Sequence, residues 1–241
     1  MAGQRTQPAD RLENALNYNE IQDYGLAIDH LLIGTPELAL GCQYISELFG
    51  TEPVFGGVHP GIGTCNALLG LEDDVYIEII APDPEQTADL PLAKYLRGLK
   101  QTALMWWAVR CHDFDALAER LQQNDVEVLS RQPGSRRLPD GRELLWELLI
   151  PGSADFQAAI PFFIEWNDMA LHPSRTLPVC GALNSMQVSH PASGKLQQIL
   201  GSCFKAGHGS GKSLQAGLTI DGNILHLTTA DEFPPGMAEF N

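Results

Sequence analysis

Two short phrases, Tyr76-Ile77-Glu78-Ile79 and Phe162-Phe163-Ile164-Glu165-Trp166, each place a carboxylate on a hydrophobic strand. An aspartate-histidine pair, Asp29-His30, opens the run of elements that the first phrase closes. One imidazole with two carboxylates suits Mn²⁺, Fe²⁺, Zn²⁺, Ni²⁺ or Co²⁺, and three protein ligands leave coordination positions open for substrate oxygens. A metal held that way polarises a carbonyl or enediolate, and a carboxylate beside it shuttles a proton. Each residue also has a plainer use. A strand histidine beside an aspartate is often structural, and a glutamate ending a strand is often solvated or paired.

Other residues could serve the same chemistry. His59 sits among Gly56, Gly57, Gly61 and Gly63, which permit positive φ and close backbone approach to a ligand. There it would contact substrate or act as an acid or base, or the segment is only a flexible hairpin. Asn66 would hydrogen-bond substrate or cap the turn. Trp106, Trp107, Trp146 and Trp166 cluster in the second half and suit either a core or the wall for a flat, aromatic substrate. Only one of Trp106 and Trp107 can face a groove, because strand residues alternate. Arg131, Arg136 and Arg137 could bind a carboxylate or belong to a solvated loop, and Arg137 is taken as the substrate-binding candidate. His172 precedes Pro173 and is a further candidate.

The elements that position these residues recur. Residues 27–34 read as a strand, and a helix follows with Thr35 as N-cap, Pro36 at its first position and Gly50 at its end. Strands are expected at 53–58, 64–70 and 75–81. Residues 91–99 read as a helix. The same order then returns: strand 103–110, helix 113–123 with Asp113 as N-cap, and strands 126–131, 142–150 and 161–166. A long basic turn is expected between the first two of those strands. A weaker third copy has a strand at 183–189, a helix at 191–200 and a hairpin of 214–220 and 223–229 about Asp221-Gly222. The expected organisation is an arm over 1–25, a first βαβββ module over 26–90, a linker helix and second module over 91–170, and a partial third module over 171–241. The fold class is α+β, with paired βαβββ modules and a partial third βαββ copy.

This arrangement resembles the vicinal oxygen chelate superfamily and, more narrowly, the glyoxalase-like domain proteins. The match is carried by Asp29-His30-Leu31-Leu32, by Gly56-Gly57-Val58-His59 with Gly63-Thr64-Cys65-Asn66, and by Tyr76-Ile77-Glu78. It continues through Asp140-Gly141 with Trp146 and Pro161-Phe162-Phe163-Ile164-Glu165-Trp166. It covers about residues 27–170 well and the remainder loosely. The resemblance implies two modules curled around a groove, with metal ligands on the first and last strands of each. It assigns a divalent metal (Mn, Fe, Zn or Ni) to His30, Glu78 and Glu165, and proton handling to His59 and Glu165. Asn66, Trp106, Trp146 and Arg137 would contact substrate. At the fourth ligand position stands Trp106 or Trp107, which cannot ligate. The activity implied is that of an isomerase, lyase or dioxygenase acting on a small molecule with adjacent oxygens. The alternative is a metal-free protein of the same fold that binds or sequesters a small molecule.

Bulk properties narrow the remaining classes. The 241 residues carry 30 acidic and 15 basic side chains, a formal net charge of −15, which disfavours nucleic acid as a partner. Five scattered cysteines read as reduced thiols of a cytoplasmic protein. No signal pattern or membrane-length apolar run is present. A homodimer is compatible with paired modules. Residues 206–213 fit a relaxed phosphate-loop pattern, but such a loop must follow a strand and open a helix, whereas a hairpin is expected after it.

Overall fold

The computed structural model describes residues 25–86, 90–138, 140–152, 156–207, 211–230 and 233–240. The expected N-terminal arm lies almost wholly outside the described residues. Strand β1 (Ala27–Gly34) leads into helix α1 (Leu38–Phe49), then β2 (Val54–His59), β3 (Thr64–Gly70) and β4 (Tyr76–Pro82). Helix α2 (Pro91–Gly98) crosses to the second run. That run comprises β5 (Ala103–Arg110), α3 (Phe114–Gln123), β6 (Glu127–Arg137), β7 (Glu143–Gly152) and β8 (Phe162–Trp166).

These eight strands form one sheet in the order β2-β3-β4-β1-β5-β8-β7-β6. The order reads outward from the centre in the same way on both sides. β1 pairs parallel with β4, β5 pairs parallel with β8, and the two first strands meet antiparallel at the middle. The sheet curls into a half-barrel, so its edge strands β2 and β6 approach each other across a groove. Alternation sorts the side chains: Leu31, Ile33, Ile77, Ile79, Trp107, Val109 and Phe163 are buried in the principal core, and the intervening residues face the groove.

A second sheet, β10-β9-β11-β12, is built from β9 (Ala182–Ser189), β10 (Lys205–Ala206), β11 (Ser213–Ile220) and β12 (Asn223–Thr228), with α4 (Ser193–Leu200) following β9. It packs against β5, where Phe204 meets Trp107 at 5.8 Å between ring centroids. Asp221 and Gly222 take φ of 48° and 78° in the β11–β12 turn, as a two-residue hairpin with two positive φ angles requires. Ala206 ends one strand and Ser213 begins another, so no helix opens after the glycine-rich stretch; its residues 208–210 lie outside the described residues.

Local signals differ in how well they act. Asp113 caps α3 by accepting hydrogen bonds from the amides of Asp115 and Ala116. Gly50 ends α1 with φ 65°. Thr35 does not cap α1. The helix begins two residues beyond Pro36, with Glu37 in the cap position, and the Thr35 hydroxyl bonds to Glu37 O and to Thr102. The expected basic turn after residue 131 is strand instead. β6 runs to Arg137 because β7 pairs with it along its length, from Glu127 opposite Gly152 to Arg137 opposite Glu143. Among the described residues no helix is long and apolar enough to cross a membrane.

Candidate active site

The concave face holds a cavity of about 490 Å³, within the range of small-molecule sites. One wall is polar and comes from the first run. His30 on β1, His59 on β2, Asn66 on β3 and Glu78 on β4 all face it. The opposite wall is apolar: Leu144, Trp146, Leu148 and Ile150 on β7, with Ile164 and Trp166 on β8.

His30 is held from behind. Its Nδ1 lies 2.7 Å from Asp29 Oδ1 and its ring stacks on Tyr76 at 4.5 Å. Neighbours in a regular strand point to opposite faces. Here the β1–β5 register shifts between Ile28 and His30, and this bulge leaves Asp29 and His30 free to turn toward each other. Asp29 is fully buried. Its Oδ2 accepts hydrogen bonds from Trp166 Nε1 at 2.9 Å, His172 Nε2 at 3.2 Å and Arg110 at 3.3 Å. Burial by itself would raise the Asp29 carboxyl, but hydrogen bonds from His172 and His30 together outweigh it and hold the group well below the usual carboxylate range. An ionised Asp29 can only accept, so His30 donates its Nδ1 proton to it and turns Nε2 to the groove.

That Nε2 lies 3.4 Å from Glu78 Oε2. The other Glu78 oxygen accepts from Asn66 Nδ2 at 2.7 Å and lies 3.9 Å from His59 Nε2. His59 Nδ1 bonds to Thr64 Oγ1 at 2.7 Å, and its Nε2 lies 3.3 Å from the Asn66 amide nitrogen. Both imidazoles therefore turn Nε2 toward Glu78. A proton on His30 Nε2 would stand before Glu78 Oε2, which is the geometry that proton transfer between the two groups requires. Tyr76 also faces the groove, and burial with the nearby charges of Asp29 and Glu78 pushes its phenol well above the ordinary tyrosine value, keeping it neutral.

Two glycines make this arrangement possible. A Cβ on Gly56 would stand 2.3 Å from Asn66 Oδ1, so only glycine lets Asn66 lie across β2 with its amide on Glu78. A Cβ on Gly134 would stand 2.3 Å from the Trp146 indole, so glycine lets that ring lie flat on β6.

The sequence candidates divide accordingly. His30, Glu78, His59 and Asn66 come together, and Trp146 faces them from the apolar wall. Glu165 does not join them. Phe162, Ile164 and Trp166 face the groove, so Glu165 points to the other side of the sheet, beside Glu147 on β7 and within electrostatic reach of Cys111. Trp106 lies on the groove side, opposite Leu32, but Phe240 covers it at 5.3 Å and its Nε1 donates to Pro235 O. Arg137 is one position out of register: Gln132, Gly134 and Arg136 face the groove, and Arg137 is exposed on the other face. His172 is fully buried behind the site as a partner of Asp29. Sequence reasoning missed the convergence of Arg110, Trp166 and His172 on Asp29. A buried aspartate with so many partners leaves no local pattern.

A metal centre with donors from both runs does not fit these residues. The Cα partner of His30 is Tyr76 and that of Leu32 is Glu78, while in the second run Ala108 pairs with Phe162 and Arg110 with Ile164. The two first strands cross with Leu31 opposite Trp107, which matches His30 with Trp106 and Leu32 with Ala108, so Phe162 stands at the position of Glu78, and neither Trp106 nor Phe162 can ligate. Among the described residues no group of three or more His, Cys, Asp or Glu side chains is arranged to hold a metal ion.

A family model described as glyoxalase-like domain matches residues 28–203. No curated protein matches. A hypothetical protein from Staphylococcus aureus has a similar structure, with TM-score 0.58, 16% identity, and 88% of each chain covered. A methylmalonyl-CoA epimerase from Mycobacterium tuberculosis aligns over 58% of this chain and 86% of its own, with TM-score 0.40 and 20% identity. A Streptomyces coelicolor methylmalonyl-CoA epimerase, in complex with 2-nitronate-propionyl-CoA, aligns over 59% and 98%, with TM-score 0.45 and 20% identity.

Proposed function

The chain belongs to the glyoxalase-like domain family, and from that premise we propose that it is an enzyme that moves a proton on a small molecule carrying adjacent oxygen atoms. The observation that carries this reading is the His30–Glu78 pair, aimed into the groove and held from behind by Asp29. In this reading Glu78 takes a proton from the carbon next to the substrate oxygens. Asn66, which donates to Glu78, holds the carboxylate in place. His30 and His59 exchange the proton with Glu78 or with a substrate oxygen through their Nε2 atoms. Trp146 and the apolar wall hold the rest of the molecule and keep water away. Proton abstraction of this kind opens both isomerase and lyase reactions.

The test is exchange of the α-hydrogen of small hydroxyketones and 2-hydroxy acids for deuterium, followed by proton NMR in heavy water. Exchange should survive chelators and fall by about 10²–10⁴-fold in Glu78→Gln, the range for a general base. A ligand that occupies the groove with no exchange would overturn the enzyme reading and leave a small-molecule binding protein.

A second reading is favoured by the two Nε2 atoms that face one carboxylate. In it the three side chains, which as they stand are not grouped to hold an ion, would have to close together, and a divalent ion (Mn, Fe, Zn or Ni) would then be held by His30, Glu78 and His59 within the first run alone. It would supply Lewis-acid chemistry, or with iron the dioxygenase type. Elemental mass spectrometry decides between the two. A stoichiometric divalent ion, lost in both His30→Ala and Glu78→Ala, supports the second reading. Activity that persists in metal-free protein rules it out.

A further inference from the structure

The groove has one full cation on its lining, Arg136, among the described residues. Arg136 stands on edge strand β6 and reaches across the mouth of the half-barrel to donate to Gly56 O on the opposite edge strand, at 2.9 Å. Its neighbours in type are committed elsewhere. Arg110, Arg131, Arg142 and Arg175 each pair with a carboxylate, on Asp29, Asp115, Asp140 and Asp74. Arg136 has no carboxylate partner among the described residues, in a chain with twice as many acidic as basic side chains. A guanidinium has five N–H donors, and the neutral carbonyl of Gly56 takes one of them. Among the described residues the only acid lining the groove, Glu78, is engaged with Asn66 and His30.

We infer that Arg136 is the anion-recognition residue of the groove, and that the ligand carries a carboxylate or similar anionic oxygen group on a flat apolar body. This rests on the reading of the groove as the ligand site. The forked donors match a carboxylate, which offers two acceptor oxygens and a full opposite charge where the Gly56 carbonyl offers one neutral acceptor, so an anion displaces that carbonyl from Arg136. The acidic surface repels anions at long range, so selection for one must come from a local charge, and Arg136 supplies it. The flat body follows from Trp146, laid against Gly134 and 5.5 Å from Trp166. Because Arg136 also joins the two sheet edges, ligand binding exchanges a contact within the protein for one with the ligand.

The probes are 2-hydroxybenzoate and catechol, both flat with adjacent oxygens, one anionic and one neutral. Binding is read by tryptophan fluorescence and calorimetry on the full chain, with thermal unfolding alongside. Wild type should prefer 2-hydroxybenzoate. Arg136→Gln should weaken it by at least about tenfold, as expected for loss of a charge-assisted contact, and leave catechol unchanged. Arg136→Lys should recover part of the affinity, since it keeps the charge and loses the fork. Equal affinity for both probes in wild type, or unchanged 2-hydroxybenzoate binding in Arg136→Gln, overturns the inference. Equal loss of both probes with a lowered melting temperature would make Arg136 a structural clasp only and also overturns it. If neither probe binds wild type, the inference falls, and deuterium exchange on non-aromatic carbon acids still tests the proton-transfer reading. If anion binding depends on Arg136 and no exchange occurs, the inference stands and the enzyme reading falls.

Discussion

Asp29 carries hydrogen bonds from His30, Arg110, Trp166 and His172, which come from both halves of the eight-stranded sheet and from the segment after it. Its effect on the site is indirect: it sets which nitrogen of His30 faces Glu78. Asp29→Asn would leave Arg110 facing a neutral amide and weaken the hold on both imidazoles, at a cost of about 3–5 kcal/mol near neutral pH. The pH dependence has a definite sign. The folded-state value of Asp29 is depressed below the unfolded value near 3.8, so the unfolded chain binds the proton more readily. Its stabilisation is complete above the unfolded value and is lost as pH falls below it toward the folded value. Urea unfolding between pH 6 and pH 3 should show the gap between wild type and Asp29→Asn narrowing in the acid range. A constant gap would mean that Asp29 is not held as an anion. The Asp29-His30 dipeptide and Glu78 were legible in the sequence. That Glu165 lies apart from them was not, because a shift of one residue along a strand changes its face without changing its composition.

At the scale of elements, β6 shows how pairing overrides local signals. Pro133, Gly134 and the arginines around them read as a turn, yet β7 holds the whole segment extended as an edge strand, where a proline is tolerated. Extension puts Gln132, Gly134 and Arg136 on the groove face and excludes Arg137. Gly134→Ala tests how closely β6 and Trp146 are matched. The added methyl group cannot fit beneath the indole, so the ring must move into the groove. The expected result is a shifted tryptophan emission and weaker binding of flat ligands, with a stability loss of about 1–3 kcal/mol. Unchanged emission and affinity would show that the ring accommodates the methyl group without leaving its place. Strands β1, β3 and β5 have the bounds expected from sequence, because each is a largely buried run in the interior of the sheet, paired on both sides.

Over the whole molecule, the two runs share a frame and differ in chemistry. The first lines the groove with His30, His59, Asn66 and Glu78, and the second with leucines, isoleucines and tryptophans plus Arg136. The C-terminal sheet contributes to the core. Trp107, fully buried between β5 and Phe204, ties it to the larger sheet, so Trp107→Ala should cost about 3–5 kcal/mol by calorimetric or denaturant unfolding. A loss below 1 kcal/mol would mean that the two sheets are not joined there. The amino-acid sequence alone determined the order of elements, their repetition and the residue types of the polar wall, because periodicity and short motifs are local properties of a chain. Only the tertiary structure decided which faces meet. It set Trp106 and Phe162 at the positions matching His30 and Glu78, turned Asp29 inward at a bulge, and carried Arg136 to Gly56, 80 residues away. Register, bulges and sheet closure arise from pairing between distant segments, and no window of sequence contains both partners.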